Sequence, residues 1–338
     1  MSDVSARPLA PWLTEQAVQL LAQRGHAWML QGPSGLGQYE LALALVQAWL
    51  CEQPQDGGMA CGHCPSCHAI GVRTHADLAV LMPETQMLEL GWPLSEKAQA
   101  EIDDKKRKPS KEIRVEAMRE LVEFAQRTDA RGRGKAVLVF PAERMNTITA
   151  NALLKTLEEP PGNVRFVLAT EAAHQLLPTI RSRCLSHTLS WPDPGQALDW
   201  LQGQGMDPEL TSGWLRHAGG RPSDVMRQAG LGLSPAWWAS LPKAMQQGQA
   251  GHWADVPPAQ AIDALQKLCH DLLLVRSGAQ PRFFLPAQLP ACAASVRTLS
   301  EWFRRLMQSA RTAEHPFNAG LMLEALTADA QQSLLSRH

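Results

Sequence analysis

At 338 residues the chain exceeds one ordinary core, so two or three domains are expected. Hydrophobic residues make up 45% and charged residues 19%, which excludes a disordered chain. A net charge of -1 excludes a protein that grips DNA through a general basic excess, so any DNA contact is local or shared with partner subunits.

The N-terminal stretch from Met1 to Leu13 has no apolar signal core, and the longest apolar stretch, Leu41 to Leu50, is interrupted by Gln47 and too short to span a bilayer. A cytoplasmic protein with no membrane span is the expectation. Trp28-Met29-Leu30 is a short strand that stops at a glycine-rich loop, and Gln38 to Leu50, rich in Ala and Leu, predicts a helix. Within the loop, Gly32 and Gly37 have the spacing of a phosphate-binding loop, with Gly35 between them, and the strand-loop-helix setting fits. The next two positions do not. Gln38 stands where lysine reaches the β- and γ-phosphates, and Tyr39 where a small hydroxyl holds magnesium. The backbone amides remain able to form a weak anion nest at a helix N-terminus.

Four cysteines follow that helix: Cys51, Cys61, Cys64 and Cys67, the last three as CxxCxxC with turn formers Gly62 and Pro65 between them. Thiolates two residues apart in a tight turn converge on one tetrahedral ion, and clustering in a reducing compartment favours metal over disulfides. The ferredoxin-type cluster needs a further cysteine where this chain has Gly71, so structural zinc is expected. His63 and His68 are spare donors beside a full set of thiols. Cys184, Cys269 and Cys292 are isolated and read as small buried hydrophobes.

Leu78 to Met82 predicts a second strand. Residues 83–112 are less regular, and their charge run Asp103 to Lys108 reads as a solvated insertion loop, with a phosphate-contacting loop as the sharper alternative. Lys111 to Gln126 predicts a helix with Ile113, Ala117, Leu121 and Phe124 on one face. Ala136 to Phe140 and Arg165 to Ala169 suit central strands of a parallel sheet, and Thr149 to Glu158 between them reads as a helix closed by Pro160 and Pro161. The alternation is that of an open α/β domain. An ATPase needs acids at the end of the strand at 136–140, to hold magnesium and position water. Phe140 and Pro141 stand there instead. From Trp191 onward the chain reads as helical. One apolar stripe runs through Ile262, Leu265, Cys269, Leu272 and Leu273, another through Leu299, Trp302, Phe303, Leu306, Met307 and Ala310.

Four features in order carry a resemblance: the loop Gly32 to Gly37, the cysteine cluster after the first long helix, the run Asn151-Ala152-Leu153-Leu154-Lys155-Thr156-Leu157-Glu158-Glu159-Pro160-Pro161, and Ser182-Arg183-Cys184. Together they resemble the AAA+ clamp-loader family of bacterial DNA polymerase III, on its delta-prime branch, since the ATP-hydrolysing branch keeps the loop lysine and threonine. The resemblance implies a fold of class α/β: an AAA+ P-loop module with an inserted zinc knuckle (1–190), a helical lid (191–230) and an all-α collar for oligomerisation (231–338). It implies that Arg183 acts in trans as an arginine finger on a neighbouring ATPase subunit, and that the lid position of the active relatives' sensor arginine falls on Ser223. Implied partners are tau/gamma-type ATPase subunits and the delta subunit, and through them the sliding clamp and primed DNA. No intrinsic ATP hydrolysis is expected. Two other readings stay open on sequence alone: a competent ATPase with an atypical loop, and a zinc-containing DNA-binding regulator.

Overall fold

The computed structural model describes residues 8–313 and 318–336, which form two compact units, one through Gln196 and one from Ala197. The stretch from Met1 to Leu13 expected to lack a signal core lies outside the described residues over 1–7, and the expected third domain does so over 314–317 and 337–338.

The first unit runs α1 (Pro11–Leu21), β1 (Ala27–Gln31), α2 (Gln38–Leu50), α3 (Pro65–Gly71), β2 (Leu78–Leu81), α4 (Glu84–Glu89), α5 (Glu96–Asp103), α6 (Val115–Gln126), β3 (Lys135–Val139), α7 (Thr147–Glu158), β4 (Val164–Thr170), α8 (Pro178–Arg181) and β5 (Leu185–Thr188). The strands form one parallel sheet in the order β2-β3-β4-β1-β5, with Leu30 beside Ala169 and Leu185 beside Trp28. β3 is buried throughout and β4 everywhere except Arg165, as expected of central strands covered on both faces. Alternation along β1 sends Ala27 and Met29 into the core shared with α6 and α7. Trp28 turns to the opposite face, where its ring meets Trp49 of α2 with centroids 5.3 Å apart.

α2 has the expected bounds. α7 starts at Thr147 because Asn146 Oδ1 accepts the Thr149 N–H at 2.9 Å, a side-chain N-cap. α6 starts four residues later than the expected Lys111, because Ile113 is extended and its N–H donates to Arg144 O at 3.0 Å. The insertion at 83–112 departs most from expectation. It is not a loop throughout: α4 and α5 lie in it, and Arg107 of the charge run folds back. The Arg107 guanidinium donates to Glu84 Oε1 at 2.8 Å and Glu101 Oε2 at 2.7 Å, while Ser110 N–H donates to Glu84 Oε2 at 2.7 Å. Burial pushes the Glu84 carboxyl up, but the hydrogen bonds from Arg107 and the Ser110 N–H more than offset it and hold it below its ordinary pKa. Lys105 and Lys106 remain exposed.

α9 (Pro194–Gly203) spans the boundary. The second unit continues with α10 (Pro208–His217), α11 (Pro222–Gly230), α12 (Pro235–Gln246), α13 (Pro258–Arg276), α14 (Val296–Thr312) and α15 (Ala319–Leu335). Its apolar residues form two clusters. Ala197, Leu201, Trp214, Leu215, Ala218 and Val225 join α9 to α11, and a larger cluster joins α12 to α15. Of the expected stripes, Ile262, Leu265, Cys269 and Leu272 are buried, as are Leu299, Trp302 and Leu306. Burial of Ile262 and of each of these leucines contributes about 1.5–3 kcal/mol. Met307 and Ala310 are exposed. Among the described residues no helix is long and apolar enough to cross a membrane.

Candidate functional site

The glycine-rich loop joins β1 to α2. Gly37 has φ 98°, and a Cβ on it would lie 2.5 Å from Leu13 Cδ1, so both the backbone and the packing of α1 demand glycine. Gln38 is buried and turned inward: Nε2 donates to Gly32 O at 2.6 Å and Pro33 O at 2.8 Å. The amide thus ties the loop to itself where a lysine would extend outward. The Gly32 N–H donates to Thr170 O at 3.3 Å and serves the sheet. Tyr39 is buried too. Its ring lies 5.4 Å from that of Phe140, and its hydroxyl accepts from Trp92 Nε1 at 2.8 Å. Burial pushes the Tyr39 phenol above its ordinary range, so it stays neutral. The first carboxylate after β3 is Glu143, and it accepts from Thr170 Oγ1 at 2.7 Å and the Glu171 N–H at 3.2 Å. These residues do not fit a magnesium nucleotide: no cation stands at the loop lysine position, and two rings fill the place of the magnesium ligands. Nothing in the sequence marks Trp92. It belongs to the insertion, its partner is 53 residues away, and no periodicity marks it.

The four cysteines come together. Their Sγ atoms lie within 4.8 Å of one another, with Cys51 to Cys61 at 3.6 Å, Cys51 to Cys64 at 3.8 Å and Cys61 to Cys67 at 4.0 Å. A tetrahedron with metal–sulfur bonds of about 2.3 Å separates its sulfurs by about 3.8 Å, so the donor set fits one tetrahedral ion. α2 ends at Leu50 and delivers Cys51, while Cys64 caps α3, its Sγ accepting the Cys67 N–H at 3.5 Å. Cys51 Sγ accepts the Cys61 N–H and Cys61 Sγ the Cys64 N–H, both at 3.3 Å. Burial pushes the Cys64 thiol up, but the amides of Cys67 and Glu52 and the neighbouring thiols more than offset it and bring it to about 6. Burial leaves Cys51 and Cys67 raised. Behind the thiols, Asp77 N–H donates to His75 Nδ1 at 3.0 Å, which leaves the His75 proton on Nε2, 3.1 Å from Ser66 Oγ. Ser66 Oγ in turn donates to Glu52 Oε1 at 2.8 Å, which Arg131 also meets at 2.7 Å. His63 and His68 are exposed and outside the cluster.

Arg183 sits between α8 and β5. Its Nε donates to Glu158 Oε1 at 2.6 Å, a second guanidinium nitrogen meets the same oxygen, and Nη1 donates to Thr179 O at 2.9 Å. The end of the run 151–161 and the triplet 182–184, two separate sequence features, therefore meet through one ion pair. The side chain keeps a third of its surface exposed. β1 and β5 are parallel neighbours. The glycine loop leaves the C-terminal end of β1, and Arg183 precedes the N-terminal end of β5. The registered residues alone separate the two edges by about 10 Å. Arg183 and the chain's own loop thus lie at opposite ends of the strands.

Residues 15–192 match the family model described as DNA polymerase III, delta subunit. The chain belongs to this family. The match lies within the first unit. Among relatives, the DNA polymerase III subunit delta' of Pseudomonas aeruginosa is 37% identical over 227 residues, covering 66% of this chain and 62% of the relative. The delta' subunit of Escherichia coli is 36% identical over 222 residues, covering 64% and 59%. The DNA polymerase III subunit tau of Escherichia coli is 33% identical over 177 residues, covering 52% of this chain and 23% of that protein. The chain thus matches about three fifths of the length of the delta' relatives. The resemblance carried by the loop, the cysteine cluster, the run 151–161 and the triplet 182–184 is borne out by these matches.

Proposed function

We propose that the chain is a non-hydrolysing subunit of the bacterial DNA polymerase III clamp loader, which lends Arg183 to the ATP site of a neighbouring subunit so that the sliding clamp is loaded on primed DNA. On this reading the first unit is an AAA+ module, residues 191–230 are the lid and 231–338 the collar. The partners are tau/gamma-type ATPase subunits and the delta subunit. The observation that carries the reading is the pairing of a blocked site with an arginine on the opposite edge. Tyr39 packs on Phe140 where magnesium ligands belong, while Arg183 is held at the far end of the strands. A guanidinium there is of no use to its own loop, and on this reading it serves a neighbour's. Phosphoryl transfer spreads negative charge over the γ-phosphate oxygens, and an arginine stabilises that charge through a planar fork of donors. The Glu158 carboxylate holds the fork in one orientation before the neighbour arrives.

The cysteine cluster takes one zinc ion on this reading, held by Cys51, Cys61, Cys64 and Cys67. With all four positions filled by protein the ion is structural. Its role is to fold the 51–67 segment against the end of α2. The competent-ATPase reading is disfavoured by Gln38, whose amide is committed to the loop's own carbonyls. The test is purification of the tagged full chain from its own cells. Polymerase III ATPase subunits should accompany it in stoichiometric amounts, and their absence from an otherwise soluble preparation would overturn the proposal.

A further inference from the structure

A cavity of about 510 Å³ opens at the N-terminal edge of the sheet, beside the end of α1, the start of β1 and the turn that follows α7. Arg24, His26, Arg133, Asn163 and Arg165 line it together with Trp28 and Trp49, and no carboxylate does. This is not a reflection of a basic chain, whose net charge is -1. Nor is it a reflection of the loop that carries Arg133. Its neighbours there find partners, Arg127 with Glu123 and Arg131 with Glu52. Among the described residues Arg24, Arg133 and Arg165 pair with no carboxylate. Arg165 is the one break in the burial of β4, and its guanidinium lies over the Trp49 ring, 5.8 Å from the centroid. Burial lowers the Arg165 pKa, and the adjacent Arg133 charge lowers it further. Two neighbouring cations beside the Trp49 ring, with no carboxylate between them, form an arrangement that an anion relieves.

Guanidinium groups in a concave site match phosphate oxygens with paired hydrogen bonds, and the volume lies in the range of small-ligand sites. We propose that this cavity binds a phosphate group, carried either by a free nucleotide or pyrophosphate or by a nucleic-acid backbone. It is separate from the glycine loop, which leaves the other edge of the sheet.

The test uses the full chain with two probes at low salt: inorganic pyrophosphate by calorimetry, and a labelled primed duplex by fluorescence anisotropy. Arg24 and Arg133 are exposed, so Arg24→Ala with Arg133→Ala keeps the fold, and Arg165→Gln removes the third cation. At least one probe should bind to the unmodified chain, and each variant should weaken it tenfold or more. Arg131→Ala, which removes an arginine already paired with Glu52, should leave binding unchanged. Pyrophosphate bound at one site identifies a free phosphate ligand. Binding of the duplex alone, with a salt slope that becomes shallower in the variants, identifies the nucleic-acid backbone. Failure of both probes to bind, or equal binding by both cavity variants, would overturn the proposal.

Discussion

The rings of Tyr39 and Phe140 lie with centroids 5.4 Å apart and planes 35° apart, joining the second residue of α2 to the residue that follows β3. In a working phosphate-loop ATPase those two positions face each other across a magnesium ion. Here they face each other across an apolar contact, closed from outside by the Trp92 indole, which donates to the Tyr39 hydroxyl at 2.8 Å. Tyr39, Phe140 and Trp92 are all part of the buried core here. Restoring lysine and threonine at 38 and 39 is expected to yield no ATPase, because Phe140 and Pro141 still offer no metal ligand. Tyr39→Thr alone should destabilise the first unit by about 2–4 kcal/mol, through the cavity and the orphaned Trp92 N–H. Denaturant unfolding checks the stability, and calorimetry with ATP checks the site. Micromolar affinity for ATP, abolished by changes in the loop, would count against a blocked site.

For the cysteine cluster, elemental analysis of freshly purified protein should find one zinc per chain. Cys64→Ser combined with Cys67→Ser should lose it. Chelation of the unmodified chain should lower the melting temperature, because the metal and the local fold stabilise each other. Retention of metal by the double variant, or unmodified protein without stoichiometric zinc, would contradict the assignment.

Much of this was legible in the sequence for a physical reason. Gln38 to Leu50 carries strong helix formers in one block, β3 and β4 are apolar runs that suit burial on both faces, and CxxCxxC places thiols by local geometry alone. What was not legible depends on distant partners. β5, Leu-Ser-His-Thr at the sheet edge, is largely exposed and has no apolar pattern, so only its pairing with β1 makes it a strand. Trp92 acquires its role from Tyr39, and Glu158 from Arg183, contacts that span 53 and 25 residues.

The second unit should lose stability in acid through His217. The ring is 2% exposed, stacks on Trp238 with centroids 5.2 Å apart and meets the Phe284 ring edge-on. Burial depresses its pKa to about 4, with Lys267 and Arg216 adding to the effect and Asp271 opposing it. The native ring is neutral while the unfolded one takes up a proton below its ordinary pKa of about 6.5. Stability is therefore full above that value and falls as pH drops toward 4, by about 3 kcal/mol in all. His217→Phe should flatten this part of the profile in denaturant melts followed from pH 7 to pH 4. An unchanged slope would mean the ring is not buried neutral.

Glu158→Gln tests whether the carboxylate merely stabilises the fold. The pair is partly exposed, so its loss should change global stability by no more than about 1 kcal/mol. The expected effect lies in the assembled loader, where ATP turnover should fall because Arg183 is no longer held in one orientation, yet by less than when Arg183 itself is removed. A drop in the stability of the isolated chain beyond that range would assign the pair a structural role.

The most direct measurement is DNA-stimulated ATP hydrolysis by a reconstituted loader carrying Arg183→Ala, in a complex shown to be intact. An arginine supplied in trans is worth roughly 10³–10⁵ at the site it completes. The neighbouring site should therefore fall nearly silent and clamp loading should slow, with Arg183→Lys rescuing poorly because it keeps the charge and loses the fork. Unchanged hydrolysis and loading would contradict the proposal and leave Arg183 as the residue that caps α8 and pairs with Glu158.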